Sequence, residues 1–210
     1  MYDFITDLDD YFCEKYENYD KLCVTPGYRM PKMQTSEVRE DGRTYAYTLP
    51  ANTMRLALQE NKAEILAHVK KNICDKTFSF SFRPLGLFAR IRNKNSRYGF
   101  VKWLRLILSR YNLSEQDAGE ALSIAPEIWQ GICKGSYLPT KNLIFSLALT
   151  AQFTVDETSN LLAVCGYEWD YAIEKDVVIS YLLHNKIFNR SMLDCALQEY
   201  KVTNLFIKGA

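Results

Sequence analysis

Leu113-Ser114-Glu115-Gln116-Asp117-Ala118-Gly119-Glu120-Ala121-Leu122-Ser123-Ile124-Ala125-Pro126-Glu127-Ile128-Trp129-Gln130-Gly131-Ile132 is the stretch of this 210-residue chain that decides its fold. Ser114 followed by Glu115, Gln116 and Asp117 is a helix start, where a hydroxyl bonds an exposed amide and early acids complement the helix dipole. Pro126 suits the first turn of a second helix, predicted to run to Lys134 and to be closed by Gly135. Ala118, Leu122, Ile124, Trp129 and Ile132 supply the apolar contacts, and Gly119 a small residue among them. Two short helices joined by a tight turn are predicted over about 114–134.

Start signals of the same kind recur on both sides. Phe100, Trp103, Leu104, Ile107, Leu108 and Tyr111 form an apolar stripe at helical spacing, with Lys102, Arg105 and Arg110 off it. Thr140 opens a fourth helix, Lys141 to Gln152. Thr154-Val155-Asp156-Glu157 has the pattern of a capping box and opens a fifth, ending at Gly166.

With these five helices in order, the stretch from about Tyr98 to Gly166 resembles the lambda-repressor (Cro/C1, or XRE) helix-turn-helix family. Gly119 stands where that family needs a small residue at the helix crossing. Gly135 to Thr140 resembles its loop to the next helix, and Phe145 to Glu157 its "Leu-Ala…Leu-x-Val-x-Glu" ending. The whole second half, through Val164-Cys165-Gly166-Tyr167, Asp176-Val177-Val178-Ile179 and the terminal helix, is also similar to a helical module found as a tail on bacterial proteins, mainly in Firmicutes.

The resemblance implies a second helix laid in the major groove of duplex DNA, with its N-terminal residues at base edges. The outward positions would be Ala125, Pro126, Glu127, Gln130, Gly131 and Lys134, with Gln130 able to pair with adenine and Glu127 to accept from cytosine. Lys134, Tyr137, Lys141, Lys102 and Arg105 would serve the phosphate backbone. The expectation is a DNA-binding transcription regulator. The alternative is a protein-interaction or scaffold module of the same shape, favoured by the twelve carboxylates against seven Lys and Arg from Tyr111 onward. A homodimer is expected, with the helices after Gly166 as its contact.

The first half reads differently. Phe4, Leu8, Tyr11, Phe12 and Tyr19 suggest an acidic amphipathic helix ending near Cys23, and Pro26-Gly27 breaks it. Gln34 to Glu40 and Arg43 to Leu49 flank Asp41-Gly42, which predicts a hairpin with a two-residue turn. A helix with Met54, Leu58, Ile65, Leu66, Val69 and Ile73 on one face follows, then a strand carrying Phe78, Phe80 and Phe82. The expected fold is therefore mainly α: a small α+β domain over 1–95, a basic linker around Arg90 to Arg97, and an all-helical domain over 96–210.

Charge is segregated. Met1 to Cys23 carries seven acids and two lysines, whereas Arg83 to Arg110 carries eight bases and no acid. The acidic helix is therefore a candidate mask for the basic segment; the alternative is that it packs its Phe4, Leu8 and Phe12 face into the N-terminal core. The run Arg90 to Arg97 reads equally as a solvated linker or a phosphate-contacting arm.

His68 and His184 fit no metal or triad pattern, and there is no Gly-rich phosphate loop, so neither an enzyme nor a cofactor is expected. Met54, Trp103 and Trp129 read as core. The six cysteines lack close spacing and read as reduced, mostly buried thiols. The N-terminus lacks the pattern of a signal peptide, and Leu143 to Val155 is too short and too polar to span a bilayer. A cytoplasmic protein with no membrane partner is the expectation.

Overall fold

The computed structural model describes residues 4–19, 34–48, 62–75, 82–95 and 99–208. Its elements are α1 (Phe4–Lys15), β1 (Gln34–Val38), β2 (Thr44–Thr48), α2 (Lys62–Asn72), β3 (Arg83–Pro84), α3 (Leu87–Asn95), α4 (Phe100–Arg110), α5 (Glu115–Glu120), α6 (Pro126–Cys133), β4 (Tyr137–Leu138), α7 (Lys141–Thr150), α8 (Val155–Val164), α9 (Glu174–His184) and α10 (Arg190–Glu199). The chain is mainly helical. β1 pairs with β2 and β3 with β4, both antiparallel. The predicted strand through Phe78 and Phe80 and the helix start at Met54 lie outside the described residues.

The five helices of the second half form where their start signals place them. Ser114 and Thr154 make reciprocal capping boxes with Asp117 and Glu157, and Thr140 accepts from the Leu143 amide. Each satisfies amides that have no partner inside their own helix. The helix ends at Gly135 and Gly166 adopt positive φ, 76° and 77°. On α4 the residues Phe100, Val101, Leu104, Ile107 and Leu108 are buried. Each such side chain contributes roughly 1.5–3 kcal/mol relative to exposure, so the stripe fixes which way α4 faces.

α9 is the centre of the molecule. Every residue from Lys175 to Leu183 is buried, and the helix packs against α1, α7, α8 and α10. It is therefore interior, and of the helices after Gly166 expected as a dimer contact α10 is the one that reaches the surface. α10 shows solvent mainly polar groups, among them Asp194 and Gln198.

The buried core does not break at residue 95. Leu8, Phe12, Leu66, Val69 and Ile73 belong to the same apolar cluster as α4, α7 and α9. Polar contacts cross in the same place. Tyr11 bonds the Ser180 hydroxyl at 3.0 Å, Tyr16 donates to Glu174 at 2.6 Å, and Tyr200 donates to Asp9 at 2.7 Å. Lys70 bridges Asp9 at 2.8 Å and Glu199 at 2.7 Å. The acidic helix thus lies on α9 and the end of α10, which corrects the expectation that it covers the basic segment.

Two local readings also change. The run from Arg90, expected as a linker, is the end of helix α3. Nothing from Leu87 to Asn95 is Gly or Pro, Arg and Lys are good helix formers, and Ala89 and Asn93 give the helix a face to turn toward α4. The hairpin loop has three residues rather than two. The Gly42 amide donates to the Arg39 carbonyl and the Arg39 amide to the Arg43 carbonyl, with Gly42 at φ 71°. A type I turn closed by a left-handed glycine is the usual form of a three-residue loop.

Candidate functional site

α5 and α6 cross where Gly119 meets Trp129. A Cβ placed on Gly119 would lie 2.3 Å from Trp129 Cδ1 and 2.4 Å from Nε1, so only a hydrogen fits. The indole then reaches past the crossing, and its Nε1 donates to the Glu115 carbonyl at 2.7 Å. The turn between the helices is held from outside. The Ser123 amide donates to the Phe206 carbonyl, Leu122 bridges Ile207, and the Phe206 amide donates to Ser146 Oγ at 2.8 Å on α7. A tail more than 80 residues downstream therefore fixes the angle of the pair.

Beside the crossing is an open groove of about 540 Å³. Gln116 and Glu120 of α5 form one wall, and Pro126 and Gln130 of α6 the other; Leu122, Ile124 and Trp129 give it an apolar lining, and Lys208 of the tail stands at its edge. The volume is within the range of ligand sites, roughly 300–1,000 Å³. Cys133 also lines it, but burial, with Glu115 close by, pushes its thiol up to about 12, so it is no nucleophile.

The residues expected to meet DNA divide into two groups. Pro126, Glu127, Gln130 and Lys134 are exposed along α6, and Lys102 is exposed on α4. The others are engaged within the protein. Lys141 is ion-paired with the buried carboxylate of Asp176, which also accepts from the Asp170 amide. Arg105 Nε donates to Glu115 at 2.6 Å while its guanidinium reaches the Cys133 carbonyl at 3.4 Å. Tyr137 is half-buried, its ring 2.6 Å from where a Gly131 Cβ would sit. Of the other two outward positions, Ala125 is exposed and Gly131 is half-buried under that ring.

The charge of this face is set by few groups. Residues 114–134 carry four carboxylates, Glu115, Asp117, Glu120 and Glu127, against Lys134 alone. The Ser114 hydroxyl and amide hold the Asp117 carboxyl below its usual value, so it stays ionised. Behind the site, burial raises the Asp176 carboxyl, opposed by Lys141. Burial alone would raise Glu157, but the Thr154 amide, the Tyr111 and Thr154 hydroxyls and Arg110 bring it below the ordinary value.

No protein-family model matches the chain, and no curated protein or solved structure matches it. Function must therefore be argued from this geometry. Among the described residues no group of His, Cys, Asp or Glu is arranged to hold a metal ion, and no helix is long and apolar enough to cross a membrane. His68 and His184 are both exposed; of the described cysteines Cys13, Cys133 and Cys165 are buried, as most were expected to be, and Cys74 and Cys195 are exposed.

Sequence reasoning missed Gln116 and Glu120, which share the groove with Gln130, and it missed Lys208 altogether. It also missed α3, which presents Leu87, Phe88 and Ile91 to solvent at 70%, 87% and 51% exposure. Their helical spacing is visible in the sequence; the surrounding charge run hid it.

Proposed function

We propose that the helix-turn-helix unit of residues 100–166 is a protein-recognition module whose α5–α6 groove takes a basic segment bearing apolar side chains. The observation that carries this reading is the engagement of the cations. Lys141 and Arg105 are paired with Asp176 and Glu115, and on α5 and α6 themselves Glu120 and Glu127 remain outward beside Lys134 as the one cation. Phosphate neutralisation supplies much of the affinity in DNA binding, and carboxylates beside a phosphate surface repel it. A trough with apolar side chains in its lining and Glu120 on its wall, opposed there by Lys208 alone, suits a basic and apolar partner.

A DNA-binding regulator is the second reading. It is supported by the close crossing at Gly119 and by the outward placement of Gln130 and Glu127, whose side chains can address adenine and cytosine edges. The homodimer expected for a regulator would have to use a surface other than α9.

Panning the full chain against a display library of helical peptides tests the first reading. Enriched peptides should combine Lys or Arg with Leu, Ile or Phe, and should lose binding to Glu120→Lys. Enrichment of a duplex motif from a random DNA library, with affinity falling steeply as salt rises, would transfer the assignment to DNA.

A further inference from the structure

Among the described residues nothing covers the outward face of α3. At about 100° per residue, Leu87, Phe88 and Ile91 fall in one sector of the helix, opposite Ala89 and the buried Asn93, which face the protein. Arg92 stands on one edge of that sector, and Arg90, whose Nε donates to the Leu85 carbonyl at 2.8 Å, and Lys94 on the other, all exposed. Arg90, Arg92 and Lys94 give this surface three cations, and α3 carries no acid. The ridge is held rigidly: Asn93 Oδ1 accepts the first amide of α4, from Phe100, at 2.9 Å, and α3 packs along α4. Binding would therefore cost little ordering of the ridge.

This surface has the chemistry that the groove reading requires of a partner, and it belongs to the same chain. It does not fill its own groove, since its apolar side chains are exposed. Two ridges cannot pair with each other without bringing six cations together. We propose that the α3 ridge of one copy seats in the α5–α6 groove of a second copy, with Leu87, Phe88 and Ile91 along Ile124, Pro126 and the edge of Trp129, and Arg90, Arg92 and Lys94 toward Glu120 and Glu127. The contact is head-to-tail, so each copy keeps one free ridge or groove until a ring closes. The inference rests on the groove being a protein site.

Sedimentation of the full chain over a concentration series tests it. The average mass should rise from 24.4 kDa through dimer to larger species, and fall back in high salt. Phe88→Ser removes the ridge and Glu120→Lys alters the groove; both positions are exposed, so the fold is undisturbed. Each variant alone should associate roughly tenfold or more weakly than the parent chain. Mixed together they should form a one-to-one complex and nothing larger, because one supplies the groove and the other the ridge. A parent chain that stays monomeric at high concentration overturns the proposal, as does association unaffected by both variants. If that monomer still binds basic helical peptides, the groove reading survives; if it binds none, both fall. A monomer that floats with vesicles of anionic phospholipid through Phe88 assigns the ridge to a lipid surface and likewise overturns the proposal.

Discussion

Replacing Gly119 by alanine puts a methyl group where the Trp129 ring now lies. The contacts of 2.3 and 2.4 Å are more than 1 Å inside ordinary carbon separation, about 3.5–4.0 Å, so the indole or the helix must move. Overpacking of this kind costs about 1–3 kcal/mol. Movement of the ring also breaks the 2.7 Å bond from Nε1 to the Glu115 carbonyl, and a buried donor left unsatisfied costs about 1–3 kcal/mol. Against this, alanine in a helix gains roughly 1 kcal/mol over glycine. The losses win, and a net destabilisation of about 3 kcal/mol is expected. For a chain of this length that is about 6–12 °C in Tm, at about 2–4 °C per kcal/mol. Urea unfolding of Gly119→Ala, Trp129→Phe and the double variant measures it, and the alanine should cost much less once the indole is gone. A Gly119→Ala chain as stable as the parent, or more stable, would show that the helices do not cross there.

Other outcomes follow from the buried charges. Lys141→Met leaves Asp176 without its cation and should cost about 3–5 kcal/mol at neutral pH. The Asp176 carboxyl is already raised by burial, so the folded protein takes up its proton first, and the deficit should shrink as pH falls. Glu157→Gln has the opposite sign. Its depressed carboxyl stabilises the fold above the ordinary glutamate value, so the loss of about 1 kcal/mol seen at neutral pH should disappear in acid as the parent's Glu157 protonates. Lys175 and Asp75, 2% and 4% exposed and 2.8 Å apart, join the end of α2 to α9. Lys175→Met should destabilise by about 3–5 kcal/mol and speed amide exchange throughout residues 62–72, whereas exchange unchanged there would mean that α2 does not depend on α9.

What the sequence made legible was local. Ser114, Thr140 and Thr154 announce helix starts because a cap needs only residues three positions away. Gly119 could be placed at the crossing only through the resemblance of the residues around it to the helix-turn-helix pattern, since a glycine alone does not say which helix it meets. The engagement of Lys141 was not legible, since Asp176 is 35 residues away and nothing local links them. Nor was the tail at the turn, which depends on Phe206 and Ile207 reaching Ser123 and Leu122. α3 was misread for a different reason. A run of cations has the composition of a linker, and only the fixed face of Ala89 and Asn93 against α4 turns Leu87, Phe88 and Ile91 into a ridge.

Whether the proposed occupant of the α5–α6 face is protein can be read at the residues that line it. Backbone and indole amide shifts of isotopically labelled chain, recorded while a basic apolar helical peptide or a duplex DNA library is added, test it most directly. With peptide, the shifts should cluster at Gln116, Glu120, Leu122, Ile124 and the Trp129 indole, and duplex at moderate salt should move none of them. Shifts of Glu127, Gln130 and Lys134 on adding duplex, with the groove silent to peptide, would contradict the account.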